Sequence, residues 1–398
     1  MSEIKVNSIK GVAASAAAIT VNNTDGTCTA NITNNLSNRN LIINGAMQVA
    51  QRGTSNTTNG YGTVDRYYMG YSGTDEAPTQ SQIDIGTSDT PYTLGFRKAF
   101  RVTNGNQTSG AGAADYIFMN YSIEAQDLAN SGWNYTSSSS NITLSFWIRS
   151  SVAQNFFLQF HTRDGTERVY TFETGALTAD TWTKVTKTFP GSSLITIDND
   201  NGQGAIITMN YFFGQNYTNS DGSAASNVWR SYGDSVKSAD QTTTWYTTND
   251  ATLDLVGFQL EVGSVATDFE HRSIGKELSL CQRYFYKTYI QPTNVGTASQ
   301  SADIIAKRNE DYSSGRTDQV FNAQYACPMR ATPTLTFYSY AGTSGKFTNA
   351  NADFSSASEG NVAGTVFHGR KRISHISLGD SVGAAKFCFF HFTAEAEL

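Results

Sequence analysis

Short runs of apolar or alternating residues recur along most of the chain, separated by clusters of Gly, Asn, Asp and Ser. That spacing predicts strands joined by tight turns. Between about residues 40 and 270 the expected strands are Leu41 to Ile43, Gln80 to Ile85, Phe96 to Val102, Tyr116 to Ser122, Ile142 to Ile148, Asn155 to His161, Val169 to Glu173, Trp182 to Phe189, Ile206 to Phe213 and Leu253 to Glu261. A short helix is expected at Ile123 to Asn130. So many strands rarely remain one open sheet, and the pattern therefore predicts a two-sheet sandwich. The period changes at Ser273 to Lys287, where Ile274, Leu278, Cys281 and Phe285 fall at i, i+4, i+7 and i+11 behind Ser273 as a candidate N-cap. This predicts a linker helix with an apolar stripe. Strand patterns return at Ala302 to Arg308, Gln319 to Ala326, Thr334 to Ser339, Thr365 to His368, Ile373 to Leu378 and Ala385 to Thr393, with a turn between Pro328 and Pro333. The run Lys386 to Phe392 alternates too little for a half-solvated strand, so burial on both faces is expected.

Four regions follow: an extended segment 1–40, a sandwich domain 41–271, a linker helix 272–287 and a smaller C-terminal β domain 288–398, itself expected to be a β-sandwich. In the first, Ile19-Thr20-Val21 and Cys28-Thr29-Ala30 flank Asp25-Gly26 as hairpin arms. Neither arm carries enough apolar surface to fold alone, so the segment is expected to dock on a partner or on a second copy. Lys5, Lys10 and the Ala-rich stretch after them are too short and too acidic at Glu3 to suit a signal peptide.

Composition strengthens the all-β expectation. Hydrophobic residues make up 39% and charged residues 16%, so uncharged polar residues carry the remainder, and 23 Phe with 20 Tyr suit pleated surfaces. The net charge of -6 is dispersed, which argues against nucleic acid as a partner, and no apolar run is long enough to insert in a membrane. Cys28, Cys281, Cys327 and Cys388 are scattered without metal-ligand spacing and read as reduced thiols.

The catalytic patterns in the chain are weak. Gly379-Asp380-Ser381-Val382-Gly383 fits a nucleophile elbow, but a strand rather than a helix follows it, so a hairpin turn is expected there and at Gly233-Asp234-Ser235. Asp164 with Glu167 flanks a turn. Asp198 and Asp200 alternate with Asn residues before Gly202 and form a candidate structural Ca²⁺ site, although no bidentate acid follows them. No other cofactor and no enzymatic activity are expected.

Three stretches resemble tail-fibre and related virion structural proteins of tailed phages, especially those of marine cyanobacteria. They are Asn40 to Gly53 (NLIINGAMQVAQRG) with Thr63-Val64-Asp65-Arg66-Tyr67-Tyr68, Gly257 to Glu270 (GFQLEVGSVATDFE), and Glu277 to Phe285 (ELSLCQRYF). The ending Phe392 to Leu398 (FTAEAEL) is similar too. The resemblance implies a jelly roll like that of carbohydrate-binding modules, with Gln259-Leu260-Glu261 on its closing strand and Trp182-Thr183-Lys184-Val185 on a core strand. It also implies a homotrimer, attachment to other virion proteins through the N-terminal segment, and a place on the tail or outer surface of a virion assembled in the host cytoplasm. In that setting the aromatic residues in polar, loop-like stretches become candidates for stacking on host polysaccharide: Tyr67, Tyr68, Trp133, Tyr135, Trp229, Tyr232 and Trp245, with Tyr61, Tyr71 and Tyr246 beside them. Trp147 and Trp182 lie within strand patterns and are expected in the core. The competing expectation is a ligand-free structural subunit, such as a capsid decoration or tail adaptor. A third class, a secreted sugar-binding module, lacks the signal peptide it would need.

Overall fold

The computed structural model describes residues 8–9, 19–21, 24, 28–30, 38–219, 227–300, 303–309, 316–383 and 386–398. The expected all-β architecture is what forms. Twelve strands among the described residues build the sandwich: β1 (Ser55–Asn56), β2 (Tyr67–Ser72), β3 (Thr79–Asp84), β4 (Lys98–Thr103), β5 (Tyr116–Glu124), β6 (Asn141–Ser150), β7 (Asn155–Thr162), β8 (Arg168–Ala176), β9 (Thr183–Pro190), β10 (Gln203–Phe213), β11 (Trp229–Ser231) and β12 (Thr252–Val262). One sheet has the order β11-β8-β7-β10-β5-β2 and the other β9-β6-β12-β4-β3-β1. The chain crosses repeatedly from one sheet to the other, as in a jelly roll. Alternation sorts the side chains: on β5, Ile117, Met119 and Tyr121 enter the core while Tyr116, Phe118 and Asn120 face outward half-exposed. Between the sheets Phe146 stacks on Phe258 with centroids 4.7 Å apart.

Several local expectations change. Leu41 to Ile43 is not a strand but irregular chain leading into a turn at residues 43–46, where Asn40 folds its side chain back to accept from the Ile42 and Leu260 amides at 2.9 and 3.1 Å. Strands β2 and β11 fall where loops were expected. The linker helix, α1 (Ile274–Gln282), starts with Ser273 accepting from the Lys276 amide at 3.4 Å but ends before Lys287. Phe285–Lys287 instead pairs with the last strand, Phe387–Glu395, which removes Phe285 from the helical stripe. The stripe packs in part: Cys281 is buried and Leu278 packs beside it against Ile43, Val49 and Tyr284, whereas Ile274 is 57% exposed and the Glu277 carboxylate is buried in its stead. Trp147 and Trp182 are half-buried rather than core, and the Arg149 guanidinium lies 4.7 Å over the Trp182 ring.

The C-terminal region forms a second strand array over its own core of Phe337, Phe347, Ile376, Phe390 and Phe392. Phe387–Glu395 pairs with Ile305–Arg308, Phe285–Lys287, Lys346–Ala350 and Thr334–Tyr338. Cys388, Phe390, Phe392 and Ala394 face the core while Phe389 stacks on Phe354 and His391 on Tyr289 from the other side, so the strand is buried continuously from Cys388 to Ala394. Gly379-Asp380-Ser381 lies inside the strand Arg372–Val382, not in a hairpin turn, and Asp380 accepts from the Asn361 amide at 2.6 Å. At the N-terminus Ile19–Val21 pairs with Cys28–Ala30 and with Ser8–Ile9. The expected Asp25-Gly26 turn and the Ala stretch lie outside the described residues.

A buried junction joins the two cores, and the chain end closes it. Glu397 ion-pairs with Arg66, whose side chain is 1% exposed and whose guanidinium lies 3.5 Å over the Tyr284 ring. Arg52 lies 3.8 Å over Phe285 and reaches Glu397 at 3.2 Å. Arg330 donates to the carbonyls of Ala396, Glu397 and Asn201 at 2.8, 2.8 and 2.7 Å. Glu124 accepts both Nε and Nη2 of Arg283 at 2.8 Å and the Tyr284 hydroxyl at 2.5 Å. Gly45 and Gly257 meet through a Gly257 N–H to Gly45 carbonyl bond of 2.8 Å; a Cβ at Gly45 would fall 2.1 Å from the Phe258 carbonyl oxygen. Gly45, Arg52, Arg66, Gly257, Arg283 and Glu397 are thus residues of packing and junction.

Candidate functional site

The outward face of the first sheet carries a cleft of about 500 Å³. Strand register builds it. Tyr68 of β2 opposes Asn120 of β5, Asn120 opposes Thr208 of β10, and Thr208 opposes Gln159 of β7. The next row on the same face is Gly70, Phe118, Asn210 and Phe157. Gly70 makes room: a Cβ there would lie 2.4 Å from the Phe118 ring. Phe118 therefore stretches across β2 and forms a ridge with Tyr68, at 6.3 Å and 18°, and Tyr116, at 5.5 Å and 28°. Phe213 and Tyr217 extend the ridge, Tyr217 meeting Tyr116 edge-on at 5.4 Å.

The opposite wall stands on His161, whose ring stacks on Tyr232 at 3.7 Å and 10°. Burial pushes the His161 pKa down to about 4 against the opposing pull of Glu167, so the ring is neutral at neutral pH and donates Nε2–H to Glu167 at 2.9 Å. Lys237 spans both walls, 4.9 Å from the Tyr217 ring and 5.7 Å from the Tyr232 ring. Burial lowers the Lys237 pKa, but bonding to Asp234 at 2.7 Å and to Tyr232 more than offsets this and leaves it raised. Arg163 pairs with Glu167 at 2.7 Å.

Polar capacity is left over in this cleft. Gln159 is 4% exposed and lines it, yet its Oε1 has no hydrogen-bond partner among the described residues. Neither amide atom of the fully buried Asn210 has one either. Thr208 and Asn120 bond to each other at 2.7 Å. A buried, unsatisfied amide costs about 1–3 kcal/mol, which a ligand hydroxyl or ordered water would recover.

The aromatic residues expected to touch sugar are divided by the fold. Tyr232 lines the cleft and Tyr68 ends its ridge. Tyr67, Trp133 and Trp245 are core residues at 0, 3 and 0% exposure, a correction to their expected role. Tyr67 packs between Phe100 and Tyr121, Trp133 donates Nε1–H to the Ser140 carbonyl at 3.2 Å, and Trp245 donates to Thr252 at 3.1 Å. Tyr135 and Trp229 are half-buried at the sandwich rim, bonded to the carbonyls of Ile197 and Pro190 at 3.2 and 2.8 Å. These bonds satisfy their polar atoms, and neither residue reaches the cleft. Tyr116, Phe118, Phe213, Gln159, Asn120 and His161 escaped the sequence analysis because they lie on strands. The outward phase of their own alternation is the signal that marks them.

Asp198 and Asp200 are bound into their turn. The Asp198 amide donates to Asp164 at 2.9 Å, Asp200 accepts from Gly202 at 2.8 Å, and Asn130 donates to Asn199 at 2.9 Å. Desolvation raises the Asp164 carboxyl above its ordinary value. Among the described residues no three His, Cys, Asp or Glu side chains gather as a metal site.

No family model and no curated protein matches this chain. Solved structures that it resembles include the enzymatically active domain of tailspike protein 4 of bacteriophage CBA120, at 11% identity over 56% of this chain and 22% of that one, with a TM-score of 0.30. A putative sugar binding protein from Bacteroides thetaiotaomicron is 10% identical over 56% of this chain and 100% of its own, with a TM-score of 0.31. A family 11 carbohydrate-binding module from Clostridium thermocellum, in complex with a β-1,3-1,4-mixed-linked tetrasaccharide, is 13% identical over 55% and 99%, with a TM-score of 0.25. This chain spans about a fifth of the tailspike domain's length. At TM-scores of this size the likenesses bear no weight on function.

Proposed function

We propose that this protein is a non-enzymatic subunit of a phage virion that recognises host surface glycan through the β2-β5-β10-β7 cleft. The observation that carries the proposal is the juxtaposition of the Tyr68-Phe118-Tyr116 ridge with the buried, unpartnered amide of Gln159. Flat rings offer stacking area to the C–H faces of a sugar, and an open amide offers a partner to its hydroxyls. The virion setting is supported by the resemblance of residues 40 to 287 to phage structural proteins. In that setting the N-terminal segment attaches to the particle and the chain works as a homotrimer.

The test is retention of the full chain on polysaccharide extracted from host envelopes. The expected result is retention that Phe118→Ala weakens at unchanged melting temperature. Equal retention of wild type and variant would remove the cleft from the proposal. The oligomer is tested by light scattering, where a mass near three times the 43.2 kDa chain is expected and a monomer would reject the trimer.

A further inference from the structure

Each charged side chain lining the cleft already has an opposite charge beside it. Arg163 holds Glu167 at 2.7 Å and also donates to Gln203 at 3.1 Å. Lys237 holds Asp234 at 2.7 Å. His161, the imidazole of the lining, is hydrogen-bonded to that same Glu167 at 2.9 Å. Among the described residues the polar group left open in the lining is the neutral amide of Gln159; the unpartnered amide of Asn210, two residues beyond Thr208 on the same face of β10, is fully buried and does not line the cleft.

We infer that Glu167 and Asp234 are specificity-determining residues that restrict the cleft to uncharged, hydroxyl-rich saccharides and exclude chains bearing carboxylate, sulfate or phosphate. The inference rests on the proposed reading of the cleft as a glycan surface. Its physical basis is occupancy of the cations. An incoming anion would have to displace a carboxylate already within hydrogen-bond reach of Arg163 or Lys237, and would then lie beside that carboxylate. A sugar hydroxyl meets no such competition, because it both donates and accepts, as the Gln159 amide does. Stacking on Phe118 and Tyr116 asks only for an apolar C–H face and is indifferent to charge. Selectivity is thus set by repulsion at the wall, while attraction comes from the floor.

Affinity electrophoresis of the full chain tests this. The probes are neutral polymers (mixed-linkage β-glucan, xylan, mannan, galactan) and acidic ones (alginate, polygalacturonate, heparin), each at low and high salt. The expected result is retention by at least one neutral polymer, unchanged by salt and weakened about tenfold in Gln159→Leu, with no retention by the acidic set. The double variant Glu167→Gln/Asp234→Asn frees both cations and is expected to gain salt-sensitive retention by acidic polymers. Salt-sensitive binding of acidic polymers by the wild type would overturn the exclusion and leave the glycan reading standing. A double variant that folds with the wild-type melting temperature and gains nothing would show that these carboxylates are not the determinants. Retention by no polymer, neutral or acidic, would overturn the glycan reading and this inference with it.

Discussion

The junction at Arg66 and the cleft at Phe118 are made from the same materials on the same sheet, and they end in opposite states. Both combine aromatic rings, cations and carboxylates: the junction takes Arg66, just before β2, and Glu124 of β5, and the cleft takes Tyr68 of β2 and Phe118 of β5. In the junction, Arg66 and Glu124 are closed by Glu397, Arg283 and Tyr284, groups delivered from the far end of the chain and from α1 and its continuation. In the cleft the cations close locally on Asp234 and Glu167, and among the described residues no distant segment meets the Gln159 Oε1. Where a polar group finds its partner within the protein, it contributes to cohesion. Where the fold withholds the partner, the group remains available to a ligand, at a cost in stability.

Breaking the junction gives the largest expected effect. Glu397→Gln leaves the Arg66 guanidinium buried without its carboxylate and is expected to cost about 3–5 kcal/mol in denaturant unfolding. The double variant Arg66→Met/Glu397→Leu is expected to lose less than the two single changes added together. A single-variant loss below about 1 kcal/mol would contradict a buried ion pair here.

Glu124 tests the same region through pH. Burial raises its pKa, yet the hydrogen bonds from Arg283 and Tyr284 more than compensate and leave it below the ordinary 4.5. A depressed carboxylate stabilises fully above that ordinary value, and its contribution disappears as pH falls through the lower folded value. Glu124→Gln is therefore expected to cost about 2–3 kcal/mol at neutral pH and to flatten the acid limb of the stability profile. An acid limb of unchanged steepness would argue against this assignment.

The cleft is expected to respond with the opposite sign. Gln159→Leu removes a buried amide that the protein leaves open, so stability should rise by about 1–3 kcal/mol while saccharide binding falls. A loss of stability would mean that the amide is satisfied internally. Phe118→Ala is expected to weaken binding by about 0.5–1.5 kcal/mol, read by titration calorimetry. The smallest effect is assigned to the loop of Asp198 and Asp200: because the Asp164 and Asp200 carboxylates hold the backbone amides of Asp198 and Gly202, a chelator is expected to leave the melting temperature unchanged. A melting temperature that climbs with calcium would place an ion there.

Much of the fold was legible because strand alternation is local. Tyr116 to Ser122 reads as a strand from its own residues, and so do Asn155 to His161 and Ile206 to Phe213. The candidate site was harder to read. Tyr67 and Tyr68 both read from the sequence as loop aromatics, yet strand β2 turns the first into the core and the second onto the cleft. Trp133, Trp229 and Trp245 follow polar stretches, but each indole N–H bonds a backbone carbonyl, with Trp133 and Trp245 in the core and Trp229 at the sandwich rim.

The sequence by itself determined the class of fold, the burial of the last strand and the approximate positions of most strands, since these depend on side-chain period and turn chemistry. Only the tertiary structure decided which outward face stays open. Period tells two faces of a strand apart, but solvent access depends on what other segments bring to them. Tyr68, Asn120, Thr208 and Gln159 share a row through pairing of strands far apart in the chain. Arg66 and Glu397 meet across 331 residues. The charge state of the junction is set by that long-range encounter, which no local pattern encodes, whereas the cleft's pairs, Arg163 with Glu167 and Lys237 with Asp234, are local in the chain.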